Sequence, residues 1–140
     1  MEENLTFQYI IPGDDFTRAG EASSSVKNKL KMMGVDNNVI RKTAIAMYEG
    51  EINMVIHANG GTITVNISDS DICLILADTG PGIKDVEQAM QAGFSTAPES
   101  VRSLGFGAGM GLPNMKKYSD EMSIDTVIDV GTTVTMKIHL

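Results

Sequence analysis

Glu49 and Asn53 stand four residues apart in a stretch that reads as helix, so their side chains share one face. A carboxylate and an amide oxygen suit Mg²⁺, which takes oxygen ligands and keeps several waters. The carboxylate could instead take a proton from an attacking hydroxyl. An ordinary polar helix face has the same pattern. Asp78 follows the apolar run Ile72–Ala77 and opens the turn Asp78-Thr79-Gly80-Pro81-Gly82-Ile83. There it can accept a hydrogen bond from an exocyclic amine at the mouth of an apolar pocket, or simply cap the turn. Gly80 and Gly82 would let the backbone pass close to a flat ring. Seven of the fourteen glycines fall between residues 78 and 114, and the series Gly105, Gly107, Gly109, Gly111 leads into a second helical pattern. A helix start of that kind favours phosphate; the alternative is a flexible loop. Neither Gly-x-Gly-x-x-Gly nor a Gly-Lys-Ser/Thr phosphate loop is present. A base-reading acid, a phosphate cradle and a metal ligand are what a nucleotide site needs.

The elements that would position these groups follow from periodicity. Leu5–Ile11 alternates as a half-buried strand, which Pro12-Gly13 breaks. A helix is expected from an Asp14 or Asp15 cap to about Met33, with Phe16, Ala19, Ala22, Val26 and Leu30 along one face and Gly34 as its stop. Asp36 can cap a second helix running to His57 or Ala58. By helical phase Glu51 points away from Glu49 and Asn53, toward solvent, and His57 reads as a histidine stabilised by the dipole at the helix end. Thr62–Ile67 and Ile72–Ala77 are strands, Asp85–Gln91 a short helix ending at Gly93, and Phe94–Phe106 a long loop suited to closing over a ligand. A helix from Met110 to about Ser119 and strands Met122–Val127 and Thr133–His139 complete the order. That order predicts an α/β (α+β) two-layer sandwich: a mixed, mostly antiparallel sheet covered on one face by helices. Without regular βαβ alternation, a Rossmann fold is not expected.

The chain has 140 residues, enough for one domain spanning 1–140. With 42% hydrophobic and 21% charged residues it reads as globular. Cys73 is the single cysteine, so no disulfide framework or metal cluster is expected, which fits a reducing, cytoplasmic setting. A net charge of −7 argues against a nucleic-acid partner. No stretch has the apolar length of a membrane span, and the first residues lack the features of a signal peptide. The basic residues, at Lys27–Lys31, Arg41–Lys42 and Lys116–Lys117, read as solvated helix faces, and the ten methionines as core filler.

Taken together, Glu49-x-x-x-Asn53, Asp78-x-Gly80-x-Gly82 and Gly107-x-Gly109-x-Gly111-Leu112 resemble the ordered boxes of the GHKL (Bergerat-fold) ATPases, which include gyrase, histidine kinases and the anti-sigma serine kinases. Asp78–Ile83, Gly93-Phe-Ser-Thr96 and Gly111-Leu-Pro-Asn-Met-Lys-Lys are similar to the small bacterial anti-sigma-type kinases, above all the RsbT-type switch kinases. The resemblance implies that Asn53 binds Mg²⁺ and Glu49 acts as base or orients the attacking hydroxyl. Asp78 would bind the adenine amino group, with Gly80, Gly82 and Ile83 shaping the pocket and Thr132 as a further adenine contact. Gly107, Gly109, Gly111 and Leu112 would hold the phosphates of ATP beneath a lid at about 93–109. It further implies transfer of the γ-phosphate to a serine of a STAS-domain partner, with a sigma factor or a phosphatase as other partners and a homodimer possible. The lid segment Ala97–Phe106 is longer than in the RsbT type and carries Arg102, which is either a phosphate contact or a solvated charge. Two other readings stay open: an ATP-gated binding module with negligible transferase activity, and a detached histidine-kinase domain. Retention of Glu49 favours the kinase, and the Gly-Phe-Ser-Thr stretch weighs against the histidine kinase.

Overall fold

The computed structural model describes residues 4–13, 18–58, 60–90 and 111–140. Five strands form one sheet: β1 (Leu5–Pro12), β2 (Gly60–Ile67), β3 (Asp71–Ala77), β4 (Glu121–Val127) and β5 (Gly131–His139). Their order across the sheet is β1-β2-β3-β5-β4, and all four pairings are antiparallel. Among the described residues four helices accompany them: α1 (Glu21–Met32), α2 (Asn37–His57), α3 (Val86–Ala89) and α4 (Gly111–Lys117). The two-layer sandwich expected from the sequence is the architecture observed.

Alternation decides the layers. Ile63, Val65 and Ile67 of β2, Ile72, Leu74 and Leu76 of β3, and Val134, Met136 and Ile138 of β5 are all buried. They meet Val26 and Leu30 of α1, Ala46, Met47, Met54 and Val55 of α2, and Met115 of α4 in one core. Burying each large side chain contributes about 1.5–3 kcal/mol. Their sequence neighbours Thr62, Thr64, Cys73, Ile75, Thr133 and Thr135 lie on the opposite face and are only partly covered. Because side chains alternate along a strand, a slip of one residue would exchange the two sets.

α2 is the central helix. Asp36 caps it, its side chain accepting from the Asn38 N–H at 3.0 Å, and it ends at His57 as expected. α1 departs from expectation: it starts at Glu21, and Arg18–Gly20 lie outside the helix, so Ala19 is not part of its apolar face. Asp14, Asp15 and Phe16 fall outside the described residues. Gly34 follows the helix end as predicted, with the Val35 N–H returning to the Leu30 carbonyl at 3.1 Å. β1 is fastened to α1 by Lys29, which donates to the Tyr9 hydroxyl at 2.8 Å and lies 4.3 Å from the centre of the Phe7 ring. Lys42 pairs with Asp120 at 3.3 Å. Lys29 and Lys42 are therefore engaged side chains rather than free solvated charges. α3 is shorter than predicted, four residues capped by Asp85, whose carboxylate accepts from the Gln88 N–H at 3.0 Å.

Candidate functional site

Three elements converge beside α2. The first is its own turn from Glu49 to Asn53. α4 lies against that turn, and the Asn114 side-chain amide donates to Glu49 Oε1 at 3.4 Å. Burial pushes the Glu49 carboxyl above its ordinary value, and the Asn114 hydrogen bond partly offsets this. One turn on, the Asn53 Nδ2 faces the Met115 sulfur at 3.9 Å, which leaves Oδ1 directed elsewhere. A Cβ added at Gly111 would sit 2.9 Å from that Oδ1. A side chain at Gly111 would therefore displace the Asn53 amide.

The second element is the turn after β3. Asp78 is partly buried. Its Oδ1 accepts two backbone N–H bonds, from Gly80 at 2.9 Å and from Thr132 at 3.1 Å, and its own N–H donates to the Thr132 carbonyl at 2.9 Å. Among the described residues no donor is assigned to Oδ2, which remains available for a ligand. A Cβ at Gly80 would meet Ala58 Cα at 2.8 Å, so the turn lies directly on the end of α2. Gly82 adopts φ +82°, a conformation that glycine takes readily, and a Cβ there would sit 2.7 Å from the Val127 carbonyl oxygen.

The third is the β4–β5 hairpin. Thr126 Oγ1 accepts from the Ile83 N–H at 2.9 Å and lies 2.9 Å from Thr132 Oγ1, while the Asp129 N–H donates to the Pro81 carbonyl at 2.8 Å. The turn carrying Asp78 is thus locked to a hairpin some fifty residues away in sequence. Thr132 is buried.

Of the residues singled out in the sequence, Glu49, Asn53 and Gly111 come together at one end, and Asp78, Gly80, Gly82, Ile83 and Thr132 at the other. Leu112 is buried in the core, so its side chain packs and only its backbone is left to meet a ligand. Gly107, Gly109, Arg102 and the lid at 93–109 lie outside the described residues. Asn114 and Thr126 were not singled out. Asn114 stood in a quoted motif without a role, and Thr126 carried no signal beyond its place in an alternating strand.

Two expectations are corrected. Glu51 is not solvated: it is 2% exposed, and its carboxylate accepts from the N–H groups of Gly20, Ala22 and Ser23 and from the Ser23 hydroxyl. Helical phase did direct it away from Glu49, but that side of α2 is covered by α1. For His57, burial lowers the pKa and so favours the neutral ring, against the dipole-stabilised cation that was expected.

Asp78 and Asn53 each present a side-chain oxygen beside α2 that could meet a ligand. No group of three or more His, Cys, Asp or Glu suited to a metal occurs among the described residues, so a cation here would depend on ligand oxygens and water beside one amide oxygen. Among the described residues no helix is long and apolar enough to cross a membrane. Residues 38–140 match the family described as Histidine kinase-, DNA gyrase B-, and HSP90-like ATPase. The chain is also 32% identical to the anti-sigma F factor of Bacillus licheniformis, over 99% of this chain and 92% of that protein. It is 31% identical to the anti-sigma F factor of Bacillus subtilis (strain 168), with the same coverage, and 35% to that of Geobacillus kaustophilus, over 71% of this chain and 67% of that protein. These relatives carry the anti-sigma F name and not that of an RsbT-type switch kinase. The chain belongs to the histidine kinase-, gyrase B- and HSP90-like ATPases, as a small member of the anti-sigma type.

Proposed function

We propose that this chain is a cytoplasmic, ATP- and Mg²⁺-dependent protein-serine/threonine kinase of the anti-sigma regulatory type. Its substrate is a serine on a STAS-domain partner, and the chain acts as one ATP-binding domain over residues 1–140. The observation that carries the proposal is the Glu49–Asn114 pair: a carboxylate raised in pKa by burial and hydrogen-bonded from α4, one helical turn from Asn53. Binding a nucleotide alone would not require a carboxylate there.

Bound ATP with Mg²⁺ supplies the transferred phosphoryl group and the cation that screens its charge. The chain's own residues do the positioning. Asp78 Oδ2 accepts the adenine amino hydrogen, and Oδ1 keeps the carboxylate oriented through its two backbone bonds. Thr132 and Thr126 hold the pocket wall, and Gly80, Gly82 and Ile83 shape the turn beside it. Asn53 would hold the metal through Oδ1, since its amide nitrogen is turned to Met115. Glu49 accepts the proton of the incoming serine hydroxyl. Gly107, Gly109 and Gly111, with the backbone of Leu112, are assigned to the phosphates under a lid at 93–109.

The test is ATP binding, hydrolysis and phosphoryl transfer with Mg²⁺, for the unaltered chain beside Glu49→Ala and Asn53→Ala. Affinity kept by Glu49→Ala with transfer or slow hydrolysis lost supports the kinase. The names of the relatives favour one other reading, an ATP-gated protein that sequesters a sigma factor. Tight ATP binding without turnover in any form, and without transfer to candidate STAS-domain proteins, would favour that reading.

A further inference from the structure

We infer that Glu51 is a positioning residue for the Glu49–Asn53 turn, acting by capping α1 from the neighbouring helix. This rests on the functional reading above, because Glu49 and Asn53 are the groups positioned.

α1 has no cap of its own. The residue before it is Gly20, at φ +99°, which has no side chain to offer, and no side-chain cap bond is made there. The first N–H groups of a helix lack partners within it and must find acceptors elsewhere. Glu51 supplies them from α2: Oε2 accepts from Gly20 at 2.9 Å and from Ala22 at 3.3 Å, and Oε1 from the Ser23 N–H at 3.1 Å and its hydroxyl at 2.6 Å. A buried carboxylate is tolerated only when its lone pairs are met in good geometry. Four donors from one rigid helix start meet that demand in essentially one arrangement of the two helices.

That constraint falls on the site. Glu51 lies midway between Glu49 and Asn53, on the opposite side of the same turn. At the preceding residue, Gly50, an added Cβ would run into the Leu76 side chain and come within 3.2 Å of the Met115 methyl, so the helix is pressed onto β3 and α4. Asn114 and Met115 then hold Glu49 and Asn53 from the other side. The turn is gripped by the sheet, by α4 and by α1, and among the described residues Glu51 supplies the polar grip on α1. Release it, and only apolar packing from α1 is left to fix the roll of α2 about the contact at Gly50, and with it the placement of Glu49 and Asn53.

The test compares the full chain with Glu51→Gln and Ser23→Ala, the second removing only the 2.6 Å bond in case the first does not fold. Each is assayed well below its own melting temperature, for Mg-ATP affinity, for ATP turnover and for the side-chain amide resonances of Asn53 and Asn114. A misplacement of order 1 Å at a reacting group costs up to about a hundredfold in rate. The expected result for Glu51→Gln is turnover lowered about tenfold or more, with shifted Asn53 and Asn114 amide resonances and weaker Mg-ATP binding. Ser23→Ala should move the same readouts less. A lower melting temperature with affinity, turnover and both resonances unchanged would make Glu51 a structural cap only and overturn the inference. If the unaltered chain neither hydrolyses ATP nor transfers phosphate, the kinase reading fails by itself, and shifted amide resonances in the variants still support the positioning.

Discussion

The Thr132 backbone N–H donates to Asp78 Oδ1 at 3.1 Å, joining residues fifty-four apart in the chain. That oxygen also accepts from Gly80, so one carboxylate braces both the turn and the hairpin. Asp78→Ala leaves two N–H groups without an acceptor, at about 1–3 kcal/mol each where they stay buried. We expect a clear fall in melting temperature and loss of ATP binding. Asp78→Asn keeps an oxygen for the two donors, so its melting temperature should fall less while its ATP affinity still drops, about tenfold or more. Calorimetric titration alongside thermal melts separates the two effects.

Glu49 makes the stability of the protein depend on pH. Its folded-state pKa lies above the ordinary value of 4.5, so the folded state holds the proton more tightly than the unfolded chain. Its contribution to stability therefore falls as pH rises through this interval and stays reduced above it. Glu49→Gln should melt higher than the unaltered chain at neutral pH, and the gain should vanish below the ordinary carboxylate pKa. Transfer by the unaltered chain should decline on acidification at a higher pH than a solvated carboxylate would give. Melting curves and rate–pH profiles from pH 4 to 8, about the span of interest, check both.

Two glycines sit where a single methyl group would be felt. Gly111→Ala forces the Asn53 amide to move, and we expect weakened Mg²⁺-dependent ATP binding with a small change in melting temperature. Gly80→Ala meets the backbone of Ala58, which cannot swing aside as a flexible side chain can. It should destabilise the protein by about 1–3 kcal/mol, the range for overpacking. Parallel melts and ATP titrations of the two variants would reverse in rank if this assignment were wrong.

The Thr126 hydroxyl holds the Ile83 N–H and pairs with Thr132. Thr126→Val keeps the shape and removes both bonds, at about 1–3 kcal/mol. Hydrogen exchange should quicken at Ile83, and ATP affinity should fall severalfold. Protection unchanged at Ile83 would count against the hairpin as a brace for the turn.

What could be read from the sequence was whatever depends on near neighbours. The alternation in Thr62–Ile67 and Ile72–Ala77 marks β2 and β3 because one face of each is core. Asp36 marks the start of α2 because a cap and its helix are adjacent in sequence. Glu49 and Asn53 show as a pair because one turn separates them. Glu51 was misread for the same reason: its partners lie about thirty residues earlier, at a helix start with no local signal of its own. Asn114 and Thr126 likewise owe their roles to α4 lying against α2 and to Ile83 lying against the hairpin. No short-range pattern encodes those approaches.

The strand order has a consequence for the timing of synthesis. β5 lies between β3 and β4, and Thr132, at its start, completes the environment of Asp78. A ribosome adds residues in sequence, and long-range pairings of this kind form late. A nascent chain that has exposed α2, β2 and β3 already carries Glu49, Asn53 and Asp78, yet lacks the strand that orients Asp78. On the proposed reading, the Asp78 pocket is completed only once the residues beyond Gly131 have left the exit tunnel.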